Sequence, residues 1–270
     1  KLTAVPRALR FGKYEGLGND FIVVDEDSSA DEVAARGAVA LCDRRFGIGA
    51  DGVLLVTRSA DGVPAMKVLN ADGSNPEMCG NGLRCVAKYV HDHAIAVRSR
   101  TPSGAVAGAR AGSAFTSAST AGSKLGANPF SLMVRQGDQG IVSVDMGEVR
   151  STGKQTLAKD GETHTLFLAD AGNPHAILFG SYTRADAERI GPVIEKDPSF
   201  PKGTNVEFAN VHDARIDLIV WERGVGITLA CGTGACATAV VAREQGLIAP
   251  TGSIKVALLG GELTIDPSPT

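Results

Sequence analysis

The sequence has no apolar run of membrane-spanning length and no surplus of positive charge. Of its 270 residues, 27 are lysine or arginine and 30 are aspartate or glutamate, so the formal net charge is −3. A nucleic-acid-binding surface needs clustered positive charge, and a membrane-spanning helix needs about 20 consecutive apolar residues. The chain also opens without the charged and then apolar segments of a secretory signal. We therefore expect no nucleic-acid partner, no membrane association and a cytoplasmic location.

Cysteine is scarce as well: the chain has five, an odd number that does not make a complete disulfide framework. Reduced cysteines are typical of a reducing compartment such as the cytoplasm. Cys79 and Cys85 have five residues between them, and Cys231 and Cys236 have four, with no histidine near either pair. Structural zinc usually takes a pair with about two to four intervening residues, often together with histidine. Only the spacing of Cys231 and Cys236 falls within this range, so a zinc site is possible only there, and we expect no bound metal.

Aromatic residues make up only 5% of the chain, but 43% of the residues are hydrophobic, which is enough for a sizeable core. A length of 270 residues suits one large or two medium domains. Short apolar runs outnumber helical segments and predict strands, as at Phe21–Val24 and in the alternation of Ile216, Leu218 and Val220. The expected fold class is α+β.

Helical periodicity is confined to a few segments of the chain. We expect helices over Asp31–Arg45 and over Arg184–Ile190, the second of them ended by Gly191 and Pro192. The run of alanine, glycine and serine at 105–127 has little apolar periodicity and predicts a flexible connection.

One short pattern occurs twice in the chain. Cys79–Gly82 and Cys231–Gly234 both read Cys-Gly-x-Gly, and an apolar helical stretch follows each of them. Each cysteine is therefore expected where a helix begins. There the first N–H groups have no partner within the helix, and the helix dipole adds partial positive charge. Such a position favours a thiolate and can hold a carboxylate on backbone N–H groups.

The repetition predicts two related halves. A single cysteine of this kind is equally well explained as a small buried thiol at a tight turn. Two copies favour a duplication, with residues 1–139 carrying Cys79 and residues 140–270 carrying Cys231. We expect the active site in the cleft between these halves.

Seven short motifs, in this order, make the sequence similar to the diaminopimelate epimerase family. The resemblance runs from about Phe11 to Ile265. Each motif is weakly specific by itself, but the ordered set is strongly specific. The motifs are Gly16–Phe21, Gly47–Gly52, Asn70–Ser74, Cys79–Gly82, Gly172–His175, Glu222–Gly226 and Ala230–Ala235.

The resemblance implies both a fold and an activity. The implied fold has two pseudo-symmetric halves, each a β-barrel-like sheet around a central helix. The implied activity is the interconversion of LL-2,6-diaminopimelate and meso-diaminopimelate, in the biosynthesis of lysine and of peptidoglycan precursors. It also implies a small-molecule substrate, no pyridoxal phosphate or other cofactor, and a cytoplasmic homodimer.

The family's functional residues map onto individual positions of this chain. Inverting an α-carbon requires an acid/base group on each face, and Cys79 and Cys231 match the family's catalytic pair. His175 and Glu222 match residues that assist catalysis. The positions that match substrate-binding residues are Asn19, Asn70, Gly80, Asn81, Asn173, Asn205, Glu222, Arg223, Gly232 and Thr233. Cys85 and Cys236, further along the two helices, are expected to pack in the core.

Other interpretations of these residues stay open. Asparagines beside glycines commonly form turns, and Glu222–Arg223 at a strand end commonly forms a solvated ion pair. One alternative function is that of a related cofactor-independent racemase acting on proline, hydroxyproline or histidine, which uses the same chemistry. Another is that of a thiol redox or zinc-binding protein, in which the same cysteines would be the redox groups or the metal ligands. Three features depart from the pattern that the resemblance implies. Gly52 stands where some family members have a substrate-contacting glutamine, although many have glycine; Ile227 stands where glutamate is usual; and the chain ends at Thr270, before an expected final strand.

Overall fold

The computed structural model of the chain describes residues 8–25, 33, 36–58, 64–75, 79–93, 132–134, 142–144, 146–159 and 161–267. The chain divides into two compact units, Lys1–Asp145 and Met146–Thr270. The sequence predicted a division after residue 139. The connection predicted at 105–127 lies outside the described residues.

The first unit contains a four-stranded sheet in the order β1-β2-β3-β4. Its central pair, β2 and β3, is parallel, and the two outer pairs are antiparallel. A separate antiparallel pair, β5 and β6, follows. Within the described residues, the strands are β1 Gly12–Gly16, β2 Asn19–Asp25, β3 Gly52–Arg58, β4 Pro64–Asn70, β5 Leu132–Val134 and β6 Val142–Val144, and the helices with described bounds are α1 Ala38–Cys42 and α2 Gly80–Asp92.

Both faces of this sheet are buried, which explains why Phe21–Val24 is apolar without alternation. Phe21 and Val23 pack against α2 on one face, in a cluster that includes Leu83 and Val86. Ile22 and Val24 pack on the opposite face with α1. Helix α2 contacts each of these six described strands. The sheet therefore holds the N-terminus of α2, and with it Cys79, in place.

The prediction of one helix over Asp31–Arg45 was wrong. Gly37 has a φ of +78°, a left-handed conformation that interrupts a helix. Helix α1 starts after it and ends before Asp43, whose carboxylate accepts hydrogen bonds from the N–H groups of Arg45 and Phe46. Residues 31, 32, 34 and 35 lie outside the described part of the chain.

The second unit contains a sheet in the order β14-β13-β11-β10-β9-β8-β7, with β12 paired to β11. The pairs β9–β10 and β11–β13 are parallel, and the others are antiparallel. The strands are β7 Arg150–Lys159, β8 Glu162–Asp170, β9 Pro174–Phe179, β10 Asn205–His212, β11 Arg215–Glu222, β12 Gly226–Ile227, β13 Ile254–Leu258 and β14 Gly261–Ile265, and the helices are α3 Arg184–Glu195 and α4 Gly232–Glu244.

Helix α4 is the buried centre of this unit. It contacts β7, β8, β9, β10, β11, β13 and β14, and its residues from Thr233 to Ala239 are all buried. Alanine, glycine and threonine predominate there, so the surrounding strands can approach the helix closely. Many strands and few helices make the fold α+β, as predicted, with the sheet around a central helix.

Helix α3 does not end where the sequence predicted. It continues through Gly191 and Pro192 to Glu195, although proline removes one helical hydrogen bond. Ile190 and Ile194 are buried on the sheet, and a Cβ on Gly191 would lie 2.6 Å from Trp221. This packing against the sheet outweighs the local stop signal. Within the described residues, no helix is long and apolar enough to cross a membrane.

Candidate active site

Cys79 directly precedes α2, where the sequence predicted it. Its Sγ accepts a hydrogen bond from the N–H of Gly82 at 3.2 Å, and its carbonyl oxygen accepts from the N–H of Leu83 at 3.0 Å. The side chain is half-buried. A Cβ on Gly82 would lie 3.1 Å from both this sulfur and Leu54, so glycine lets the first turn close around the thiol.

Two of the predicted asparagines, Asn19 and Asn81, meet beside this helix start. The Nδ2 of Asn81 donates to the Oδ1 of Asn19 at 3.3 Å, and the Nδ2 of Asn19 donates to Asp51 at 2.7 Å. At the other end, Arg84 donates to the Oδ1 of Asn81 at 2.6 Å. Because a carboxylate only accepts and a guanidinium only donates, these two ends fix the orientation of both amides. Sequence reasoning missed Asp51 and Arg84.

Asn70 lies at the end of β4, opposite Gly52 in the register of the sheet. Its side-chain amide donates to the Oγ of Ser74 at 2.9 Å. The turn that follows is linked to Asp51, whose carbonyl oxygen accepts from the N–H of Ala71. The turn-forming role considered for such asparagines is thus observed for Asn70.

Cys231 is the N-cap residue of α4. Its Sγ accepts from the N–H of Gly234 at 3.4 Å and lies 3.4 Å from the Oγ1 of Thr233. Its side chain is almost fully buried, and burial raises the pKa of the thiol well above its usual value. The carboxylates of Glu222 and Glu207 raise that pKa further, whereas the bonds from Thr233 and Gly234 lower it.

The helix N-terminus alone would lower the pKa of Cys231 and favour its thiolate, so the observed upward shift is opposite to that expectation. The N–H groups of α4 do favour the thiolate, but removing the sulfur from water penalises its charged form more strongly. The raised pKa of Cys231 favours its protonated thiol at neutral pH.

His175 lies in a buried polar cluster with Glu207, whose charge also acts on Cys231. Its Nδ1 lies 2.7 Å from the Oε1 of Glu207, and both side chains are completely buried. Its Nε2 lies 2.8 Å from the Oδ1 of Asn173. Glu207 was not among the predicted site residues. The available signal was its place two residues after Asn205 in an apolar strand, because alternate residues of a strand share a face.

Glu222 closes the same cluster from the end of β11. Burial raises the pKa of its carboxyl group, the charge of Glu207 raises it further, and a hydrogen bond from Thr228 and the neighbouring His175 lower it. The Oγ1 of Thr228 donates to the Oε1 of Glu222 at 2.6 Å. Glu222 is therefore not the solvated surface ion pair that its sequence context allowed.

Asn205 ties two loops of the second unit together. Its Nδ2 donates to the carbonyl oxygen of Pro174, and its Oδ1 accepts from the backbone N–H of Arg223, both at 3.0 Å. Glu195 holds the same loop from α3, since its carboxylate accepts from the N–H of Gly224 at 2.8 Å and from the indole of Trp221 at 2.7 Å. The backbone that presents Arg223 is thus fixed from two sides.

None of the five cysteines, all of which lie in the described part of the chain, is joined to another in a disulfide. Cys85, a residue of α2, is buried, and burial raises its pKa to about 12. Cys236 is also buried. Both positions agree with the predicted packing role. Among the described residues, no three histidine, cysteine, aspartate or glutamate side chains gather to hold one metal ion.

Comparison with known proteins gives a family match across most of the chain. The family described as Diaminopimelate epimerase matches residues 11–117 and 167–268. A diaminopimelate epimerase from Synechococcus sp. (strain JA-3-3Ab) is 38% identical over 288 residues, covering 97% of this chain and 91% of that protein. One from Rhizorhabdus wittichii is 41% identical over 276 residues, covering 97% and 89%.

Solved structures give a likeness at the level of the fold. A hydroxyproline epimerase from Agrobacterium vitis superposes with a TM-score of 0.64 at 14% identity, covering 94% of this chain and 82% of that one. A predicted epimerase from Pseudomonas aeruginosa superposes with a TM-score of 0.66 at 14% identity, covering 96% and 92%.

Proposed function

This chain belongs to the diaminopimelate epimerase family, and from this premise we propose that it is an isomerase that interconverts LL-2,6-diaminopimelate and meso-diaminopimelate with Cys79 and Cys231 as its two acid/base groups. The observation that carries the proposal is the repeated helix start: each unit places a cysteine at the N-terminus of its central helix, where a backbone N–H of the first turn contacts the sulfur.

The reaction needs one base and one acid on opposite faces of the α-carbon. The thiolate of one cysteine removes the α-proton, and the C–H electron pair stays on the carbon. The thiol of the other cysteine then delivers its proton to the opposite face, so that one thiol and one thiolate are present before and after the reaction. Because Cys231 is held as a thiol, we assign it the acid role in the resting enzyme, with Cys79 as the base. The roles exchange in the reverse direction.

The carbanion requires stabilisation of its negative charge. We propose that the substrate's α-carboxylate binds the backbone N–H groups of Gly80 and Asn81 in α2 and of Gly232 and Thr233 in α4. Helix N-termini stabilise anions through these N–H groups and through the helix dipole, and preorganised dipoles act most strongly where solvent is excluded. In this mechanism His175 and Glu222 assist proton transfer from within the buried cluster around Cys231.

Diaminopimelate carries a second amino-acid group at its far end, and this sets it apart from proline-like substrates. We propose that Arg223 binds the distal carboxylate and that the asparagines 19, 70, 173 and 205 bind the remaining polar groups. The loop of Arg223 is fixed by Asn205 and Glu195, which supports a rigid anion site. An arginine–carboxylate pair can form two parallel hydrogen bonds.

The remaining parts of the proposal concern the setting of the enzyme. We propose that it works without a cofactor, as a cytoplasmic homodimer, on a small-molecule substrate of lysine and peptidoglycan precursor biosynthesis. The cytoplasm suits a mechanism that depends on a reduced thiol pair. Size-exclusion chromatography with light scattering tests the dimer.

Incubation of the purified protein with LL-diaminopimelate in deuterium oxide tests the activity. We expect deuterium at the α-carbon by NMR and formation of the meso isomer by chiral chromatography. Proline, hydroxyproline and histidine serve as competing substrates. Faster racemisation of any of these than epimerisation of LL-diaminopimelate would show that the substrate assignment is wrong.

A further inference from the structure

Glu207 is a completely buried carboxylate to which the proposed reaction gives no role. It lies on β10, two residues after Asn205, and its Oε1 is 2.7 Å from the Nδ1 of His175. Within the part of the chain that the structure describes, its Oε2 has no hydrogen-bond partner. The histidine is thus the one described hydrogen-bond partner of this carboxylate, and a buried charge without a partner is costly.

The first turn of α4 is shaped around this carboxylate. A Cβ built on Gly234 would lie 2.8 Å from the Oε1 of Glu207 and 3.4 Å from the Sγ of Cys231. Glycine at this position therefore leaves room for the carboxylate between the helix start and the imidazole of His175. The second glycine of the Cys-Gly-x-Gly pattern thus has a use beyond the conformation of the turn.

The arrangement constrains the tautomer of His175. A carboxylate only accepts hydrogen bonds, so the ring nitrogen that faces it must carry a proton. The other ring nitrogen, Nε2, lies 2.8 Å from the Oδ1 of Asn173. A side-chain amide has both an acceptor and donors, so Asn173 can accept from a protonated Nε2 or, with its amide turned over, donate to an unprotonated one. With Nδ1 held by the carboxylate, Nε2 is the ring nitrogen that remains to exchange a proton.

We propose that Glu207 is a positioning residue for His175. It keeps the proton on Nδ1, so that Nε2 is the ring atom that faces Asn173 and takes part in proton transfer or hydrogen bonding on the substrate side. This inference rests on the proposed function, which makes His175 and Asn173 part of the active site, and it adds Glu207 and Gly234 as the groups that set the geometry of the ring.

Glu207→Gln is the primary test, because glutamine keeps the shape of the side chain. A glutamine amide can either accept from Nδ1 or donate to it, so Nδ1 no longer has to carry a proton and both tautomers of His175 become accessible. We expect kcat for LL-diaminopimelate to fall roughly 10- to 100-fold while the protein stays folded. Glu188→Gln, an exposed carboxylate of α3 paired with Arg184, is the matched control and should retain full activity.

A double-mutant cycle separates positioning from a general structural effect. If Glu207 acts through His175, then Glu207→Gln added to His175→Gln lowers kcat by no more than about twofold. An equal loss in both backgrounds would overturn the proposal. A variant that loses only thermal stability, with kcat unchanged, would overturn it as well.

NMR of protein labelled with ¹⁵N in histidine gives a readout that does not depend on activity. We expect the Nδ1 of His175 to show the chemical shift of a protonated ring nitrogen, with a slowly exchanging proton, in a signal that His175→Gln removes. In Glu207→Gln the two ring nitrogens should shift toward a mixture of tautomers. An unprotonated Nδ1 in the parent protein overturns the proposal. If Nδ1 is protonated but the protein does not epimerise diaminopimelate, the substrate assignment is wrong. The proposed role of Glu207, keeping the proton on Nδ1 of His175, would still be supported.

Discussion

The side-chain amide of Asn81 donates a hydrogen bond to the side-chain oxygen of Asn19 at 3.3 Å, although the two residues are 62 positions apart in the chain. This bond joins the start of β2 to the first turn of α2, beside Cys79. The carboxylate of Asp51 and the guanidinium of Arg84 at its two ends leave each amide one orientation. Both proposed substrate-binding groups are thus aligned before substrate arrives.

Asp51→Asn should weaken substrate binding. An asparagine can accept from Asn19 or donate to it, so the orientation of the Asn19 amide is no longer enforced. We expect KM for LL-diaminopimelate to rise by roughly two- to tenfold, the value of about one hydrogen bond, with little change in kcat. Steady-state kinetics measures this. Asp43→Asn, a change in an exposed carboxylate that caps a turn, should leave KM as it is, and an equal rise in both variants would contradict the assigned role.

Cys79→Ala and Cys231→Ala should each nearly abolish epimerisation, because each removes the acid/base group of one face. Cys85→Ala and Cys236→Ala are the controls: both side chains are buried, so we expect a loss of about 1 kcal/mol in the free energy of unfolding and near-normal kcat. Activity and thermal unfolding measured on all four variants distinguish catalysis from packing. Substantial turnover in either of the first two variants would exclude the two-cysteine mechanism.

The thiol of Cys231 should react slowly with iodoacetamide at pH 8. Only the thiolate reacts, and burial, with the charges of Glu222 and Glu207, raises the pKa of Cys231. A raised pKa means a smaller thiolate fraction at a given pH, so the rate should keep increasing as pH rises above 8. Mass spectrometry of alkylated peptides follows this cysteine specifically.

Glu222→Gln tests whether the negative charge of Glu222 raises the pKa of Cys231. Removing a negative charge near the sulfur stabilises the thiolate, lowers the pKa of Cys231 and should speed its alkylation at pH 8 relative to the parent protein. Glu262→Gln, an exposed carboxylate of β14, should leave the rate unchanged. A slower reaction in Glu222→Gln would mean that this carboxylate does not raise the pKa of the thiol.

Gly234→Ala should be destabilising and should lower kcat. Glycine to alanine inside a helix ordinarily stabilises a protein by about 1 kcal/mol, but here the new Cβ would lie 2.8 Å from the buried carboxylate of Glu207. The carboxylate must move, and its bond to His175 is the contact that is lost. Chemical denaturation and steady-state kinetics measure the two effects. A more stable variant with normal kcat would show that the carboxylate has room to move.

Arg223→Ala should raise KM for diaminopimelate by roughly ten- to a hundredfold, since a charge-assisted contact contributes about 1.5–3 kcal/mol. Arg223→Lys should recover only part of the affinity, because lysine cannot form the two-bond pair with a carboxylate. Arg215→Ala, at an exposed ion pair with Asp217, is the control for lost positive charge. An unchanged KM in Arg223→Ala would place the distal carboxylate elsewhere.

Local sequence determined the secondary structure around both cysteines. A turn-forming Cys-Gly-x-Gly followed by apolar residues at helical spacing puts Cys79 and Cys231 at helix N-termini, and both were predicted there. The strands of the α+β fold follow from apolar runs in the same way. These features depend on residues within a few positions of one another, so a single sequence contains their cause.

Contacts between distant parts of the chain decided the rest. Helix α3 continues through Pro192 because Ile194 is buried on the sheet. The local sequence around Gly191 and Pro192 does not contain this information. Glu207 and His175 meet across 32 positions because β9 and β10 are neighbours in the sheet, and burial of Cys231 among carboxylates reverses the expected direction of its pKa shift. Burial and cross-strand pairing are properties of the folded chain. The sequence by itself therefore determined that both cysteines lie at helix N-termini. The tertiary structure decided the direction of the pKa shift of Cys231 and the orientation of the polar side chains, because both depend on groups that only folding brings together.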